Sequence, residues 1–162
     1  MAEYILSAFA DEAGKTPEEQ IAALIDNGIN YIEPRSFYGK GILTLTNEEL
    51  YEIKKALDKA NIKVNSLGSP IGKYPINDPF ETHLTDFMRA IEICKILETS
   101  NMRMFSFYIP KGEDPKKYSD EVIKRMSALS NIAKENGITL VALVVTIIEL
   151  LILKQQSEEQ KI

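Results

Sequence analysis

Glu33 and Arg35 carry opposite charges and stand two positions apart at the end of a short β-prone segment, Asn30 to Glu33. Residues two apart in an extended chain point to the same face. A carboxylate and a guanidinium on one face can grip a hydroxylated or phosphorylated ligand. They can equally form an ion pair that closes the end of a barrel, and the pattern leaves both interpretations open.

A segment of small residues, Gly68-Ser69-Pro70-Ile71-Gly72-Lys73, is a second place where ligand chemistry fits. Small residues let backbone N–H groups approach an anion, and Lys73 supplies a positive charge. The alternative interpretation is a plain connecting loop.

Aromatic and hydroxyl-bearing residues alternate near the end of another apolar segment. In an extended chain, Ser106 and Tyr108 share one face and offer hydroxyl groups. The opposite face carries Arg103, Phe105 and Phe107. The sequence does not determine which face points inward, and aromatic strand residues belong to a core more often than to a ligand platform.

The chain has one histidine, His83, and one cysteine, Cys94. One histidine cannot form a multi-histidine metal site, and no Ser or Cys nucleophile stands in an evident elbow. We interpret His83 as a surface or helix-packing residue and Cys94 as a small core residue. A single cysteine excludes an internal disulfide and predicts a reducing, cytoplasmic location.

Predicted helices separate the β-prone segments. Two helices begin with capping boxes and two follow Asp-Pro pairs, at Thr16-Pro17-Glu18-Glu19, Thr46-Asn47-Glu48-Glu49, Asp78-Pro79 and Asp114-Pro115. The predicted strands are short and are Tyr4–Phe9, Asn30–Glu33, Ile62–Leu67, Met102–Tyr108 and a fifth after Asn136-Gly137.

This strict alternation predicts parallel strands joined by helical crossovers. The first strand-to-helix turn, Ala10 to Lys15, lacks a Gly-rich phosphate fingerprint, which favours a closed barrel over an open doubly wound sheet. A full barrel needs roughly 250 residues, and this chain has 162. We therefore predict an α/β fold, a partial (β/α)8 TIM barrel of about four βα units plus a fifth strand. Its chemistry is expected at the carboxyl ends of the strands.

An almost continuous apolar segment, Ile138 to Leu153, departs from this pattern. A membrane helix usually needs about 20 apolar residues, so a buried strand followed by a helix, or a misfit tail, is favoured over membrane insertion. We divide the chain into a barrel-like domain, residues 1–140, and an atypical tail, residues 141–162, apolar and then polar. The net charge of −5 argues against nucleic-acid or anionic-membrane binding.

Over residues 3–140 the chain resembles the sugar phosphate isomerase/epimerase family of xylose-isomerase-like (β/α)8 barrels. The resemblance rests on short motifs in order, Ser7-Ala8-Phe9-Ala10-Asp11-Glu12, Tyr31-Ile32-Glu33-Pro34-Arg35, Gly68-Ser69-Pro70-Ile71-Gly72-Lys73, Asp78-Pro79-Phe80-Glu81 and Arg103-Met104-Phe105-Ser106-Phe107-Tyr108.

The resemblance implies isomerisation of a sugar or sugar phosphate. In the family, a divalent metal held by later strands polarises the sugar while a glutamate moves a proton between adjacent carbons. The substrate-binding residues that it implies for this chain are Glu33, Arg35, Ser69, Lys73, Ser106 and Tyr108.

The chain departs from the family where the metal site begins. The family's fifth strand usually ends in a Glu-Asn-Glu or Glu-Asn-His run, and the corresponding residues here are Leu143, Val144 and Val145. Aliphatic side chains cannot coordinate a hard cation. We therefore expect no metal site and no cofactor, a truncated chain that is inactive by itself, and, as a hypothesis for its cause, a shifted reading frame or premature stop.

The alternative function is a non-catalytic half-barrel that self-associates or binds a partner. A half-barrel leaves strand edges unpaired, and such edges are usually relieved by pairing with another chain. The expected contact surfaces are the first strand and the segment Val141 to Leu153.

Overall fold

A computed structural model describes residues 4–142 of the chain. Four helices lie in this part, α1 (Pro17–Asp26), α2 (Asn47–Lys59), α3 (Phe80–Ile96) and α4 (Ser119–Glu135). The strands are β1 (Ser7–Ala8), β2 (Tyr31–Ile32), β3 (Ser36–Phe37), β4 (Lys40–Gly41), β5 (Lys63–Val64), β6 (Asn101–Met104) and β7 (Thr139–Ala142).

The barrel strands are parallel and follow one another in chain order. β1 pairs with β2, β2 with β5, and β6 with β7. A parallel bridge between Leu67 and Met102 connects the two groups, and the Leu67 N–H donates to the Asn101 carbonyl at 2.8 Å. Residues 4–142 thus form a partial TIM barrel with four βα units and a fifth strand, as predicted. β3 and β4 form a separate antiparallel hairpin after β2.

Both predicted capping boxes are present. The Thr16 hydroxyl accepts from the Glu19 N–H at 3.3 Å, and the Thr46 hydroxyl accepts from the Glu49 N–H at 3.2 Å. The predicted start at Asp114 is a 3₁₀ turn, Pro115–Tyr118, that leads into α4.

The core lies between the strands and the helices. In register, Ile32 stands beside Ala8 and Val64, so this row of the sheet faces the helices together. The fully buried side chains that fill the layer include Phe37, Phe87, Ile32, Leu50, Ile53, Leu57, Leu67 and Ile91. The next row, Ser7, Tyr31 and Lys63, lies on the other face of the sheet.

The fourth barrel strand is shorter than predicted. β6 ends at Met104, and Phe107 has a left-handed backbone with φ 72°. The extended alternation expected for residues 105–108 is therefore broken. The cause is the loop after β5, because the Phe105 N–H donates to the Ile71 carbonyl at 2.8 Å and the Phe107 N–H donates to the Gly72 carbonyl at 2.9 Å.

The predicted apolar segment is described only in part. Ile138 is buried and residues 139–142 form β7, so the boundary predicted at 140/141 falls within this strand. Residues 143–162, including Leu143 to Val145 and the rest of the predicted tail, lie outside the described residues. Among residues 4–142, none of the helices has both the length and the apolar character required to cross a membrane.

Candidate functional site at the barrel mouth

Four segments meet where the parallel strands end. They are residues 9–12 after β1, residues 33–36 after β2, residues 68–73 beyond β5 and residues 105–108 after β6. This is the end of a (β/α)8 barrel at which ligands bind, because the strands deliver their following loops to one rim. We call it the barrel mouth.

Arg35 is held by two carboxylates from the turn after β1. Its Nε donates to Asp11 Oδ1 at 2.9 Å and its Nη2 donates to Glu12 Oε1 at 2.9 Å. The hydrogen bond with Asp11 raises the pKa of Arg35 above its ordinary value. The ion pairs of Arg35 thus connect the segments that follow β1 and β2. The Glu33 carboxylate has no hydrogen-bond partner among residues 4–142.

Gly68 makes room for the Arg35 side chain. A Cβ at position 68 would lie 2.7 Å from Arg35 Cγ and 2.9 Å from the Pro34 carbonyl oxygen. The Gly68 N–H also donates to that carbonyl at 3.0 Å. Only a glycine lets the segments after β2 and β5 approach this closely.

Arg103 is the mouth residue that the sequence pattern did not identify as a ligand candidate. Its Nη2 donates to the Gly68 and Ser69 carbonyls at 2.9 and 3.2 Å. Its Nε is buried and meets no acceptor among the described residues. Burial lowers the pKa of Arg103, the charge of Arg35 lowers it further, and the charge of Glu33 opposes this shift. These partners lie some 35 positions away in the sequence, so no local pattern around Arg103 could identify it.

Cations and aromatic rings alternate across the mouth. The Arg35 guanidinium lies 4.6 Å from the Phe9 ring centroid, and the Arg103 guanidinium lies 5.0 Å from the same centroid. Arg103 is also 5.1 Å from the Phe105 ring, and Lys73 Nζ is 4.5 Å from it. We call these five residues the mouth row. Cation–aromatic contacts at such distances contribute about 0.5–2 kcal/mol each.

The three hydroxyl-bearing residues predicted to bind substrate, Ser69, Ser106 and Tyr108, differ in burial. Ser69 is fully buried, and its hydroxyl donates to the Arg103 carbonyl and accepts from the Ile71 N–H at 3.3 Å. Ser106 is half-buried, and Tyr108 is 56% exposed. Of the predicted residues, Arg35 and Lys73 thus belong to the mouth row, and Glu33 precedes Arg35 by two positions. The buried Ser69 side chain connects its loop to β6.

His83 belongs to the core beside the mouth. It is buried and stacks on Tyr74 and Phe107 with ring centroids 4.1 and 5.7 Å apart. Its Nδ1 meets no hydrogen-bond partner in the described part of the chain. Burial, and next the charge of Arg125, lower its pKa. The helix-packing interpretation of His83 agrees with this position.

The described residues do not fit a divalent metal. Residues 4–142 contain no group of three or more His, Cys, Asp or Glu side chains arranged to hold an ion. Asp11 and Glu12 are engaged by Arg35, which leaves Glu33 as a single carboxylate at the mouth. One carboxylate is too few for a hard cation that takes six or so oxygen ligands.

A cavity of about 390 Å³ lies at the opposite end of the strands. Its lining includes Lys63 and Asn101, the first residues of β5 and β6, together with Lys54 and Glu98, which form an ion pair at 2.9 Å. That end of a (β/α)8 barrel supports stability rather than chemistry. The candidate site is therefore the mouth.

The fold is shared with several solved structures at low sequence identity. A xylose isomerase-like TIM barrel protein from Mycobacterium smegmatis in complex with magnesium has a TM-score of 0.63 and 16% identity, over 85% of this chain and 54% of that one. The 3-keto-D-glucoside 4-epimerase from E. coli has a TM-score of 0.60 and 14% identity, again over 85% and 54%. D-psicose 3-epimerase in the presence of D-fructose has a TM-score of 0.58 and 13% identity, over 83% and 50%.

This chain spans about half the length of those proteins. It has no match among curated proteins. The family model of the xylose isomerase-like TIM barrel matches residues 21–142, which is most of the chain. The chain therefore belongs to the xylose isomerase-like TIM barrel family.

Proposed function

We propose that this chain is the sugar-binding front part of a sugar or sugar-phosphate isomerase/epimerase barrel. The proposal rests on Glu33, a half-buried carboxylate just after β2 whose charge acts on Arg103 of the mouth row. Its side chain makes no hydrogen bond within residues 4–142. A carboxylate accepts hydroxyl hydrogen bonds, and Phe9, which is 37% exposed, offers an apolar surface for a sugar ring. Solved neighbours that are sugar epimerases support this substrate class.

The residues of the mouth bind and orient the ligand in this proposal. Glu33 accepts from ligand hydroxyl groups, and Arg35 is already positioned by Asp11 and Glu12. Lys73 is exposed, with no ion pair in the described part of the chain, and supplies a positive charge at the rim. Tyr108 and Ser106 stand at the same rim and add hydroxyl groups.

We also propose that the chain by itself has little or no isomerase activity. Residues 4–142 lack a set of metal ligands, and positions 143–145 of the sequence are aliphatic. In this view residues 1–140 carry the barrel part and residues 141–162 the tail, whose first two residues complete β7. The metal that supports catalysis in the family is then not held by this chain.

Proton exchange tests both parts of the proposal. D-fructose in D₂O, with and without Mn²⁺, is followed by NMR for loss of the protons on the carbons beside the carbonyl. We expect no exchange above the protein-free rate, together with ligand-induced shifts of the Glu33 and Phe9 signals. A Glu33→Gln variant should weaken these shifts, and the matched Glu135→Gln variant at the end of α4 should not. Rapid exchange would contradict the inactivity, and absence of shifts with several sugars would contradict sugar binding.

A second candidate function is self-association without catalysis. Tyr4, Ile5 and Leu6 precede β1, at the edge of the described sheet, and are 86%, 71% and 65% exposed. Consecutive exposed apolar residues at a sheet edge favour pairing with another chain. Sedimentation should show a dimer that Ile5→Lys disrupts and that Ile25→Lys, at an exposed position of α1, leaves intact. A monomer with a cooperative unfolding transition would contradict this candidate.

For location and partners, we propose a reducing cytoplasm and a small ligand. Cys94 is free and buried, and burial raises the pKa of its thiol to about 12, so it is a core residue rather than a reactive one. The net charge of −5 supports a sugar ligand over nucleic acid.

A further inference from the structure

We propose that Arg103 is a specificity-determining residue of the mouth that binds an anionic group, phosphoryl or carboxylate, carried by the sugar ligand. The inference rests on the proposed sugar-binding function and deepens it.

The guanidinium of Arg103 is held in a fixed orientation by the protein. Nη2 donates to the carbonyls of Gly68 and Ser69, at 2.9 and 3.2 Å, and the Ser69 hydroxyl in turn bonds the Arg103 carbonyl. Nη1 donates to none of the described residues. A guanidinium that is anchored through one nitrogen and free at another is prepared to receive an acceptor without further ordering.

The charges of the mouth are unevenly distributed, and this favours an anion on the Arg103 side. Asp11 and Glu12 both pair with Arg35, on the side of β1 and β2. Arg103 and Lys73 lie on the side of β5 and β6 and form no ion pair among residues 4–142. A ligand with hydroxyl groups towards Glu33 and an anionic group towards Arg103 and Lys73 matches this polarity.

The surroundings of Arg103 strengthen a charged hydrogen bond. Its guanidinium lies 5.0 Å from the Phe9 ring centroid and 5.1 Å from that of Phe105, and these residues are 37% and 9% exposed. The two rings lower the local dielectric on their side of the guanidinium, so an anion at this half-buried position interacts more strongly than at a fully open surface.

The alternative is that Arg103 only ties the loop at Gly68 and Ser69 to β6. A purely structural arginine would stabilise the fold without affecting the ratio of affinities for anionic and neutral sugars. The ratio, rather than stability, therefore distinguishes the two roles.

Calorimetric titration of the full chain with D-fructose, D-fructose 6-phosphate and D-glucuronate measures this ratio. We expect the wild type to bind at least one anionic sugar ~10-fold or more tightly than D-fructose. Arg103→Met should remove most of this preference and leave only what Lys73 supplies, and Arg103→Lys should keep more of it. Lys124→Met removes a charge from the exposed face of α4, where the side chain is 79% exposed, and should leave the ratio unchanged. The tighter of the two anionic sugars identifies the anion as phosphoryl or carboxylate.

Two results would overturn the role of Arg103 while sparing the proposed function, namely equal affinities of the wild type for all three sugars or an unchanged ratio in folded Arg103→Met. If the wild type binds no sugar, the proposed function fails. In that case, titration with inorganic phosphate, followed by the NMR signal of Arg103 Nε–H, tests whether Arg103 binds an anion. The same titration is used if the Arg103→Met variant does not fold. A saturable shift at millimolar phosphate supports the anion site, and no shift beyond that caused by equal KCl refutes it.

Discussion

At the scale of single residues, Gly72 shows how one position shapes the mouth. Its φ is 82°, and a Cβ there would overlap the backbone carbonyl of Phe105, the first residue after β6. The neighbouring backbone hydrogen bonds to Phe105 and Phe107 hold the two loops together. A side chain at this position has to displace both loops.

We predict that Gly72→Ala lowers the free energy of unfolding by about 4 kcal/mol or more, because the strain of a left-handed alanine adds to the overlap. Gly112→Ala is the matched control, since Gly112 has φ 87° and nothing within 4 Å of the added Cβ. It should cost about 1 kcal/mol. Urea unfolding measures both, and equal losses would show that the overlap with Phe105 relaxes freely.

The pH dependence of stability should report on His83. Burial and the charge of Arg125 lower its pKa in the folded state, with Asp78 and Asp86 opposing, so the unfolded state binds the proton more strongly. The contribution of neutral His83 to the free energy of unfolding is then fully present above its ordinary pKa of 6.5. It declines as the pH falls from there towards the folded-state pKa.

We predict that His83→Phe, which preserves the stack on Tyr74 and Phe107, removes the part of the decline that begins as the pH falls below about 6.5. Urea titrations at several pH values measure it. A variant that loses stability with acid as steeply as the wild type would assign the decline to other groups.

At the scale of elements, the helices depend on local signals. α2 begins with Thr46, whose hydroxyl caps the Glu49 N–H, while Glu49 accepts from the Thr46 N–H at 2.8 Å. We predict that Thr46→Ala costs about 1 kcal/mol of stability. Thr85→Ala is the control, because Thr85 is exposed inside α3 and bonds only the Glu81 carbonyl. If both variants lose the same stability, the cap has no special role.

Local signals explain which elements the sequence predicted and which it did not. The N-cap and N3 residues of α1 and α2 are three positions apart, so four residues of sequence contain the whole interaction. The end of β6 depends instead on Ile71 and Gly72, more than thirty positions earlier. Arg103 likewise obtains its partners from a distant loop, so its place at the mouth had no local signature.

At the scale of the whole molecule, the candidate site likewise has a part that local sequence predicts and a part that depends on distant residues. The sequence identified Glu33 and Arg35 as candidates because a two-residue spacing after a strand predicts a common face. The partners of Arg35 could not be identified in this way, since Asp11 and Glu12 come from another strand end and lie more than twenty positions away from it. The family match adds the architecture, and the charge distribution of the mouth follows only from the packed structure.

The whole chain should not be stabilised by divalent metals. A native-state ligand at 100 times its dissociation constant adds about 2.7 kcal/mol, which raises the melting temperature of a domain of this size by roughly 5 °C or more. Since residues 4–142 hold no three-ligand cluster, we predict no rise with millimolar Mg²⁺, Mn²⁺ or Zn²⁺ relative to NaCl of equal ionic strength. A rise of several degrees that EDTA reverses would place metal ligands in this chain and contradict the basis of its proposed inactivity. Binding of sugar without metal would agree with a mouth that recognises the ligand and lacks the metal needed for isomerisation.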